Sequence, residues 1–246
     1  MAGHFTYNEK FYKSQSEGSF KSAKIIVDFF TKHIFSPQSV LDVGCGVGTW
    51  LKAWREAGVE KIQGIDGNQM PESLLYISRD EILERDLDEI RKDDSEKYAL
   101  AMSLEVAEHL QQKNSSNFVK FLTSSADIVL FSSAIPHQVG TNHINLQPLS
   151  FWVSLFAEER FECFDILRPW LIANADGTAD VEPWYLQNML VFACGEKKDI
   201  LMSKGYKPIV NPVMFYHQYI FETWQQTQTF KLALKKYLRS KIPRWC

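Results

Sequence analysis

The stretch VLDVGCGVGTW, Val40–Trp50, decides how the rest of the sequence is interpreted. Its beginning is apolar and rich in valine, which favours a buried strand. The glycines Gly44, Gly46 and Gly48 then predict a sharp strand-to-helix turn whose backbone can approach a ligand closely. Dinucleotide-binding turns have the longer spacing GxGxxG, whereas this turn has GxGxG, preceded by Asp42. The spacing therefore disfavours a nicotinamide-binding turn.

Strand-like and helical segments alternate on both sides of this turn. A first helix is predicted over Ser19–Phe35 and is ended by Pro37. Strands linked by helices predict right-handed βαβ units and a parallel, doubly wound α/β sheet. The predicted strands are Val40–Val43, Lys61–Ile65, Ile82–Arg85, Tyr98–Leu104 and Ile128–Phe131, and the helices between them are Trp50–Ala57, Pro71–Tyr76 and Ser115–Thr123.

The pattern changes after Ala134. A polar loop over Pro136–Pro148 precedes a predicted helix at Phe151–Ala157. Two closing strands are predicted at Phe161–Leu167 and Tyr185–Ala193, joined by a long loop that favours a functional role. We assign residues 1–195 to one domain with an N-terminal lid or helix, and residues 196–246 to a C-terminal extension.

Composition and charge exclude several classes of protein. The chain has 246 residues, of which 45% are hydrophobic and 23% charged, as expected for a globular domain. No apolar run is long enough to cross a bilayer, and the N-terminus does not resemble a secretory signal. The net charge is −3, which argues against a nucleic-acid-binding protein. The four cysteines form no CxxC pair, so we expect a cytoplasmic protein.

The C-terminal end is basic, unlike the acidic remainder of the chain. Its predicted helix places apolar residues on one face and basic residues on the rest. Such a helix suits the inner face of an anionic membrane, and the alternative is packing on the domain or on a second subunit of a homodimer. The apolar residues are Phe230, Leu234, Tyr237 and Leu238; the basic residues are Lys231, Lys235, Lys236 and Arg239.

The glycine turn resembles motif I of the class I S-adenosylmethionine-dependent methyltransferases, and the later motifs follow in order. The resemblance implies a seven-stranded Rossmann-like sheet of order 3-2-1-4-5-7-6, with strand 7 antiparallel and helices on both faces. It implies S-adenosylmethionine as cofactor and S-adenosylhomocysteine as product. It implies that Asp66 binds ribose and that Asp86 and Leu87 flank adenine. The implied cofactor residues are Asp42, Gly44, Gly46, Gly48, Asp66, Asp86, Leu87, Leu104 and Glu105.

Further segments resemble a bacterial subgroup encoded among capsule and surface-polysaccharide genes. They are Ile135-Pro136, His143-Ile144-Asn145 and Trp184-Tyr185 with Gln187-Asn188. Leu146 and Pro148 depart from that pattern, where Glu and an aromatic residue are expected. The resemblance implies O-methylation of a sugar, a nucleotide sugar or a surface glycan.

Three residues are candidates for the chemistry. His143 lies in the loop after the fifth strand, where such sheets bind ligands, and we expect it to act as general base. His137 could bind the acceptor or cap the loop. The resemblance places Glu105 near the methionine end of the cofactor or near the acceptor, and the alternative is an ordinary helix start. Acceptor contacts are expected from His109, Asn145, Arg168, Tyr185 and Asn188. Arg168 suits a phosphate or carboxylate, with a surface charge as the alternative, and Glu108 is expected to be solvated.

Several other functions stay open at this point. The acceptor could be a phosphate-type oxygen of a capsule modification or a small metabolite. The chain could also be a nicotinamide-dependent dehydrogenase or a non-catalytic protein that binds S-adenosylmethionine. The histidines and carboxylates do not have the spacing of a zinc site, so the sequence predicts no metal.

Overall fold

The computed structural model describes residues 9–241, with side chains over 16–174 and 176–232. Its centre is one seven-stranded sheet in the order β3-β2-β1-β4-β5-β7-β6. Pairing is parallel from β3 to β5, whereas β7 runs antiparallel to both of its neighbours. The strands are β1 Ser39–Val43, β2 Lys61–Asp66, β3 Ile82–Glu84, β4 Leu100–Leu104, β5 Ile128–Ser132, β6 Glu162–Phe164 and β7 Leu190–Ala193. The predicted order is confirmed.

Helices link the strands and cover the sheet. The first helix begins well before the predicted start and ends in a π-helical turn at Phe30–Ile34, before Pro37. The helices are α1 Glu9–Phe29, α2 Thr49–Glu56, α3 Ser115–Ser125, α4 Leu149–Glu158, α5 Leu167–Ala173, α6 Pro183–Asn188, α7 Gly195–Ser203 and α8 Gln218–Lys241. The short turns between them include 3-10 turns after β2, β3 and β4.

Three predicted segments differ from the structure. The expected helix at Pro71–Tyr76 is only a 3-10 turn at Glu72–Leu74. The expected strand from Phe161 ends at Phe164, and α5 then begins at Leu167. The start of the expected strand Tyr185–Ala193 is helical, because Pro183 occupies the first turn of α6, where its missing N–H has no partner to lose.

Two hydrophobic clusters lie on opposite faces of the sheet. One centres on Trp54 of α2 with Phe30 and Ile26, and these side chains are fully buried. The other is built around stacked aromatic rings, with Phe156 and Phe192 centroids 3.8 Å apart. Trp50 and Trp54 are buried, as their helical spacing predicts. Coverage on both faces leaves the strand ends free to form a site.

The start of the C-terminal extension is tied to the domain. Ile209 forms a bridge with Cys163 of β6, and the Val213 carbonyl accepts a hydrogen bond from Arg168. The backbone N–H of His217 donates to the side chain of Gln187 at 2.7 Å. No helix within the described residues is long and apolar enough to span a membrane. The side chains before Ser16, which belong to the predicted N-terminal lid or helix, and the tail side chains beyond Leu232 lie outside the described side chains.

Candidate active site

The glycine turn follows β1 and leads directly into α2. Gly44, Gly46 and Gly48 have φ angles of 84°, 54° and 82°, in the left-handed region that favours glycine. A Cβ on Gly44 would lie 2.3 Å from Val106, so a side chain there would also clash. The space beside Gly46 is open, since a Cβ on this residue would meet nothing within 4 Å. The turn therefore presents bare backbone at the carboxyl end of β1.

Asp66 at the end of β2 is locked to this turn. Its carboxylate accepts hydrogen bonds from the backbone N–H groups of Gly46 at 2.8 Å and Asn68 at 2.9 Å. Burial raises the pKa of Asp66 in spite of these bonds. Asp42 is 3% exposed, and burial together with the nearby Asp66 raises its pKa to about 8. The turn thus holds two closely spaced acidic groups, an environment that favours a cationic ligand.

The predicted adenine-flanking pair lies after β3. Asp86 is exposed and its carboxylate accepts a local hydrogen bond, from the N–H of Asp88 at 2.9 Å. Leu87 is buried next to it, in the same hydrophobic cluster as Ile65 of β2. Leu104 ends β4 and is buried as well. These residues lie at or beyond the carboxyl ends of the strands, as the sequence predicts.

Glu105 begins the turn after β4 in a strained backbone conformation. Its φ angle is 55°, unusual for a residue with a side chain, and its N–H donates to Ser132 of β5. The carboxylate accepts from the amides of Gln138 at 2.8 Å and Asn188 at 3.1 Å. Burial raises the pKa of Glu105 to about 7, although these bonds oppose the rise. A carboxylate tuned to neutrality is suited to accept a proton.

The Glu105 carboxylate belongs to a wider amide network. Asn188 also donates to the side-chain oxygen of Gln138 at 2.9 Å, and Gln187 donates to the same oxygen at 3.1 Å. Gln187 in turn accepts from the backbone of His217 in the C-terminal extension. Glu105 is therefore held by groups from three distant parts of the chain.

The ring of His143 is fixed by the neighbouring loop. Its Nδ1 lies 3.0 Å from the carbonyl oxygen of Gln138, and because a carbonyl only accepts, Nδ1 carries the proton. Its Nε2 lies 4.0 Å from Oε1 of Glu108. The ring of His109 contacts that of His143, with centroids 5.0 Å apart. Burial lowers the pKa of His143, so its ring is neutral at physiological pH.

Glu108 was expected to be solvated, and this expectation is wrong. The residue is 1% exposed because the loop after β5 folds over it. Its backbone carbonyl accepts from the N–H groups of Ile144 at 2.9 Å and Asn145 at 3.0 Å. Its Oε2 accepts from Ser133 at 3.2 Å, whereas Oε1 has no hydrogen-bond partner among the described residues. The sequence alone could not show this burial, because it depends on how the loop after β5 folds over Glu108.

The ring of His137 packs against the C-terminal extension. Its φ angle is 75°, and its ring lies 5.0 Å from that of Trp224 in α8 and 6.3 Å from that of Tyr216. These three rings and Phe221 line an apolar cleft of about 160 Å³. We call this the aromatic cleft. His137 therefore shares a cleft with the extension rather than a position beside His143.

The predicted acceptor residues occupy different places. Asn188 binds Glu105, and His109 contacts His143. Asn145 is buried and donates to the Ala107 carbonyl at 3.1 Å, so it anchors the loop. Tyr185 is buried against the start of α2, where its hydroxyl lies 3.3 Å from Nε1 of Trp50, on the glycine-turn side.

The prediction that Arg168 binds an acidic acceptor needs correction. The side chain is 1% exposed and forms an ion pair with Asp165. It also donates hydrogen bonds to the carbonyls of Gln187 at 3.1 Å and Val213 at 3.0 Å. These partners occupy the guanidinium because burial of a charge requires them. Arg168 ties α5, α6 and the extension together.

Comparisons with known proteins agree with this geometry. Residues 17–134 match the model of a family described as a methyltransferase domain. This match covers the glycine turn, Asp66 and Glu105. Residues 17–134 therefore form a methyltransferase domain, and S-adenosylmethionine is its cofactor. None of the curated protein sequences matches it.

Solved structures of low identity share the fold of this methyltransferase. A SAM-dependent methyltransferase from Archaeoglobus fulgidus is 16% identical, with a TM-score of 0.51 over 76% of this chain and 99% of the other. Magnesium protoporphyrin IX methyltransferase (ChlM) from Synechocystis with bound SAH is 16% identical, with a TM-score of 0.51 over 78% and 90%. The plantazolicin methyltransferase BpumL in complex with SAH is 14% identical, with a TM-score of 0.51 over 75% and 88%.

The residues at the glycine turn fit the cofactor of this methyltransferase. S-adenosylmethionine carries a positively charged sulfonium and an ammonium group, which Asp42 and Asp66 complement in charge when they are ionised. Its ribose hydroxyls are donors, and a carboxylate such as that of Asp66 is the complementary acceptor. The open space beside Gly46 admits a ligand at the backbone.

Three residues of the site were given no role in it by the sequence analysis. Gln138 and Gln187 form the amide network with Asn188, and Glu108 lies beneath His143. A glutamine in a polar loop carries no signal of its own, because its partners come from α6. The one available signal for Glu108 was its position next to His109, in a segment that follows a buried strand.

Proposed function

We propose that this methyltransferase transfers the methyl group of S-adenosylmethionine to a hydroxyl oxygen of a sugar, a nucleotide sugar or a surface glycan. The observation that carries the proposal is the half-buried carboxylate of Glu105, which two amides hold just after β4 with a pKa raised to about 7. The cofactor supplies an electrophilic methyl group. This chain must then align the acceptor and remove its proton.

We assign Glu105 as the base that accepts the proton of the acceptor hydroxyl. A hydroxyl acceptor holds its proton far above neutral pH, so a nearby base lowers the barrier. The amides of Gln138 and Asn188 fix the carboxylate while leaving lone pairs on its oxygens for a further donor. The Glu105 carboxyl is protonated at low pH, and it can accept a proton only after it ionises as the pH passes about 7.

His143 is the alternative base and is distinguishable from Glu105. Its Nε2 faces Glu108 at 4.0 Å, toward the protein interior, and the pKa of its ring is lowered by burial. Both features make it a weaker proton acceptor from a ligand in the site. Replacement of His143 by Gln should therefore reduce turnover less than replacement of Glu105 by Gln.

The aromatic cleft supports a sugar as the acceptor. The rings of His137, Tyr216 and Trp224 offer an apolar surface on which the C–H face of a sugar can pack. Arg168, the residue expected to bind a phosphate acceptor, is occupied by protein partners. These observations favour a glycan over a phosphate-type oxygen.

The test is methyl transfer from labelled S-adenosylmethionine into an extract of the source cell. The extract is fractionated into nucleotide sugars, glycans, lipids, protein and nucleic acid. Label in the nucleotide-sugar or glycan fraction of the wild-type reaction, strongly reduced with Glu105→Gln, is the expected result. An exposed-residue variant, Glu89→Gln, serves as the matched control and should label as wild type does.

Other outcomes contradict the proposal in different ways. Label confined to protein or nucleic acid would discard the glycan acceptor. Label in a phosphate-type acceptor, undiminished by Glu105→Gln, would show that no base is needed. Absence of label from every fraction, with S-adenosylhomocysteine still bound, would indicate a non-catalytic binding protein.

A further inference from the structure

Three metal-ligating side chains meet beneath the loop that follows β5. Glu108, His109 and His143 each offer a ligand atom, and these atoms all lie within 4.8 Å of one another. The first two come from the turn after β4, and His143 comes from the loop after β5. Backbone hydrogen bonds from Ile144 and Asn145 to the Glu108 carbonyl hold the two segments together. We call these three residues the Glu-His-His cluster.

Both imidazoles have the tautomer that a metal requires. Nδ1 of His143 lies 3.0 Å from the carbonyl of Gln138, and Nδ1 of His109 lies 3.3 Å from the carbonyl of Asn142. A carbonyl can only accept, so each Nδ1 carries the hydrogen and each neutral ring has a lone pair on Nε2. Metal-bound histidines commonly use their other ring nitrogen in this way, which orients the ring.

Glu108 supplies the second, independent observation. Its Oε1 is buried and has no hydrogen-bond partner in the described part of the chain, while Oε2 accepts from Ser133. A buried acceptor left without a partner is costly and rare in a folded protein. This oxygen lies 4.0 Å from Nε2 of His143, a separation that a cation between the two atoms would bridge. A cation there would satisfy the carboxylate oxygen that the protein leaves unpaired.

Gly140 provides the space in which the His143 ring lies. A Cβ on Gly140 would be 2.1 Å from Nε2 of His143, so any larger residue displaces the ring. The loop is thus shaped around this imidazole, and not only around its backbone hydrogen bonds.

We propose that Glu108, His109 and His143 bind a divalent first-row transition metal ion. Two imidazoles with one carboxylate suit Mn²⁺, Fe²⁺, Co²⁺ or Zn²⁺, whereas Mg²⁺ and Ca²⁺ prefer oxygen ligands. Three protein ligands leave coordination positions open for water or an acceptor oxygen, as in catalytic metal sites. Binding of the ion is independent of methyl transfer. The ion would also hold the acceptor hydroxyl near Glu105, and this second role rests on the proposed function.

The spacing rules of zinc sites do not detect this cluster. Glu108 and His109 are adjacent in sequence, and the third ligand lies on another loop. The sequence-based expectation of no metal site depends on regular ligand spacing along the chain, which a cluster assembled from two loops does not have.

The test is calorimetric titration of the chelator-treated full chain with Mn²⁺ and with Co²⁺, each added alone. The visible absorption of Co²⁺ gives a second readout of its ligands. We expect one ion per chain, and at least about tenfold weaker binding in Glu108→Gln and in His109→Gln. His33→Gln, an exposed histidine outside the cluster, is the matched control and should bind as wild type does.

A folding check and a further variant guard this test against variants that fail to fold. His109 is exposed, so His109→Gln should fold even if the buried Glu108→Gln does not, and retained binding of S-adenosylhomocysteine verifies this. Gly140→Ala should also weaken metal binding, because it displaces the His143 ring. Failure of Mn²⁺ and Co²⁺ to bind, or equal affinity in wild type and His109→Gln, would overturn the metal site. Metal binding without glycan labelling would instead contradict only the acceptor class.

Discussion

The two halves of the site are built in opposite ways. The cofactor half is local: Asp42, the glycine turn and Asp66 come from adjacent strands β1 and β2, and backbone hydrogen bonds connect them. The acceptor half is assembled from distant segments. Its parts are the turn after β4, the loop after β5, α6 and the C-terminal extension, held together by side-chain amides.

We therefore expect the first half to be needed for cofactor binding and the second half to determine which acceptor is methylated. Left-handed φ angles and a fixed strand spacing determine the glycine turn, so its form follows from a short motif. The acceptor half depends on which side chains meet across the loops. Changes to one half should therefore leave the other half's measured property nearly intact.

The largest effect is expected from Glu105→Gln. Loss of the proton acceptor should lower kcat by about 10²- to 10⁴-fold, the usual contribution of general base catalysis. Binding of S-adenosylhomocysteine, measured by calorimetry, should stay within about twofold of wild type because the amide keeps the side-chain shape. A kcat equal to that of the Glu89→Gln control would place the base elsewhere.

Asp66→Ala should give the next largest effect, which is on cofactor binding in the cofactor half. Removal of a charged hydrogen-bond acceptor costs about 1.5–3 kcal/mol, which corresponds to roughly 10- to 150-fold weaker binding of S-adenosylhomocysteine. Asp93→Ala is the matched control, since Asp93 is exposed and lies outside the residues assigned to the cofactor. Unchanged affinity in Asp66→Ala would move the ribose contact to another residue.

Trp224→Ala tests the aromatic cleft. Loss of a ring that packs on His137 should raise KM for a glycan acceptor by roughly fivefold, in line with about 1 kcal/mol for an aromatic contact. Affinity for S-adenosylhomocysteine should not change. The measurement is steady-state kinetics with the labelled acceptor fraction. An unaltered KM would show that the aromatic cleft does not bind the acceptor.

The smallest effect concerns the stability of the ligand-free protein. The pKa of Asp42 is raised from 3.8 to about 8, so the folded state binds more protons than the unfolded state between these values. Stability therefore falls as pH rises across this range. Asp42→Asn should raise Tm by a few degrees at a pH of about 8.5 and by much less at a pH of about 4. An equal change in Tm at both pH values would contradict the prediction that ionisation of the buried Asp42 lowers stability.

The sequence was most informative where backbone geometry decides the structure. The parallel pairing of β1 to β5 and the β1–α2 turn follow from apolar strands and positive-φ glycines, whereas the full strand order was implied by the family resemblance. Prediction was wrong at Tyr185, where apolar residues suggested a strand. Pro183 starts a helix there instead, and α6 brings Asn188 to Glu105.

The acceptor half was less predictable for a physical reason. Burial of Glu108 and Arg168 depends on loops that close over them, and a charged residue gives no local sign of such closure. Glu105, Asn188 and His143 were identified as site residues, but their roles depend on Gln138, which joins them in space. Sequence pattern located the residues and the structure supplied their partners.

The most direct test of the central claim is the pH dependence of methyl transfer to the labelled glycan fraction under single-turnover conditions. If Glu105 accepts the proton, the wild-type rate should rise with pH through about 7 and then level off, because the carboxylate must be ionised. The Glu105→Gln rate should be low and lack this rise. A wild-type rate that is independent of pH between about 5.5 and about 8.5, or the same rise in Glu105→Gln, would contradict the account.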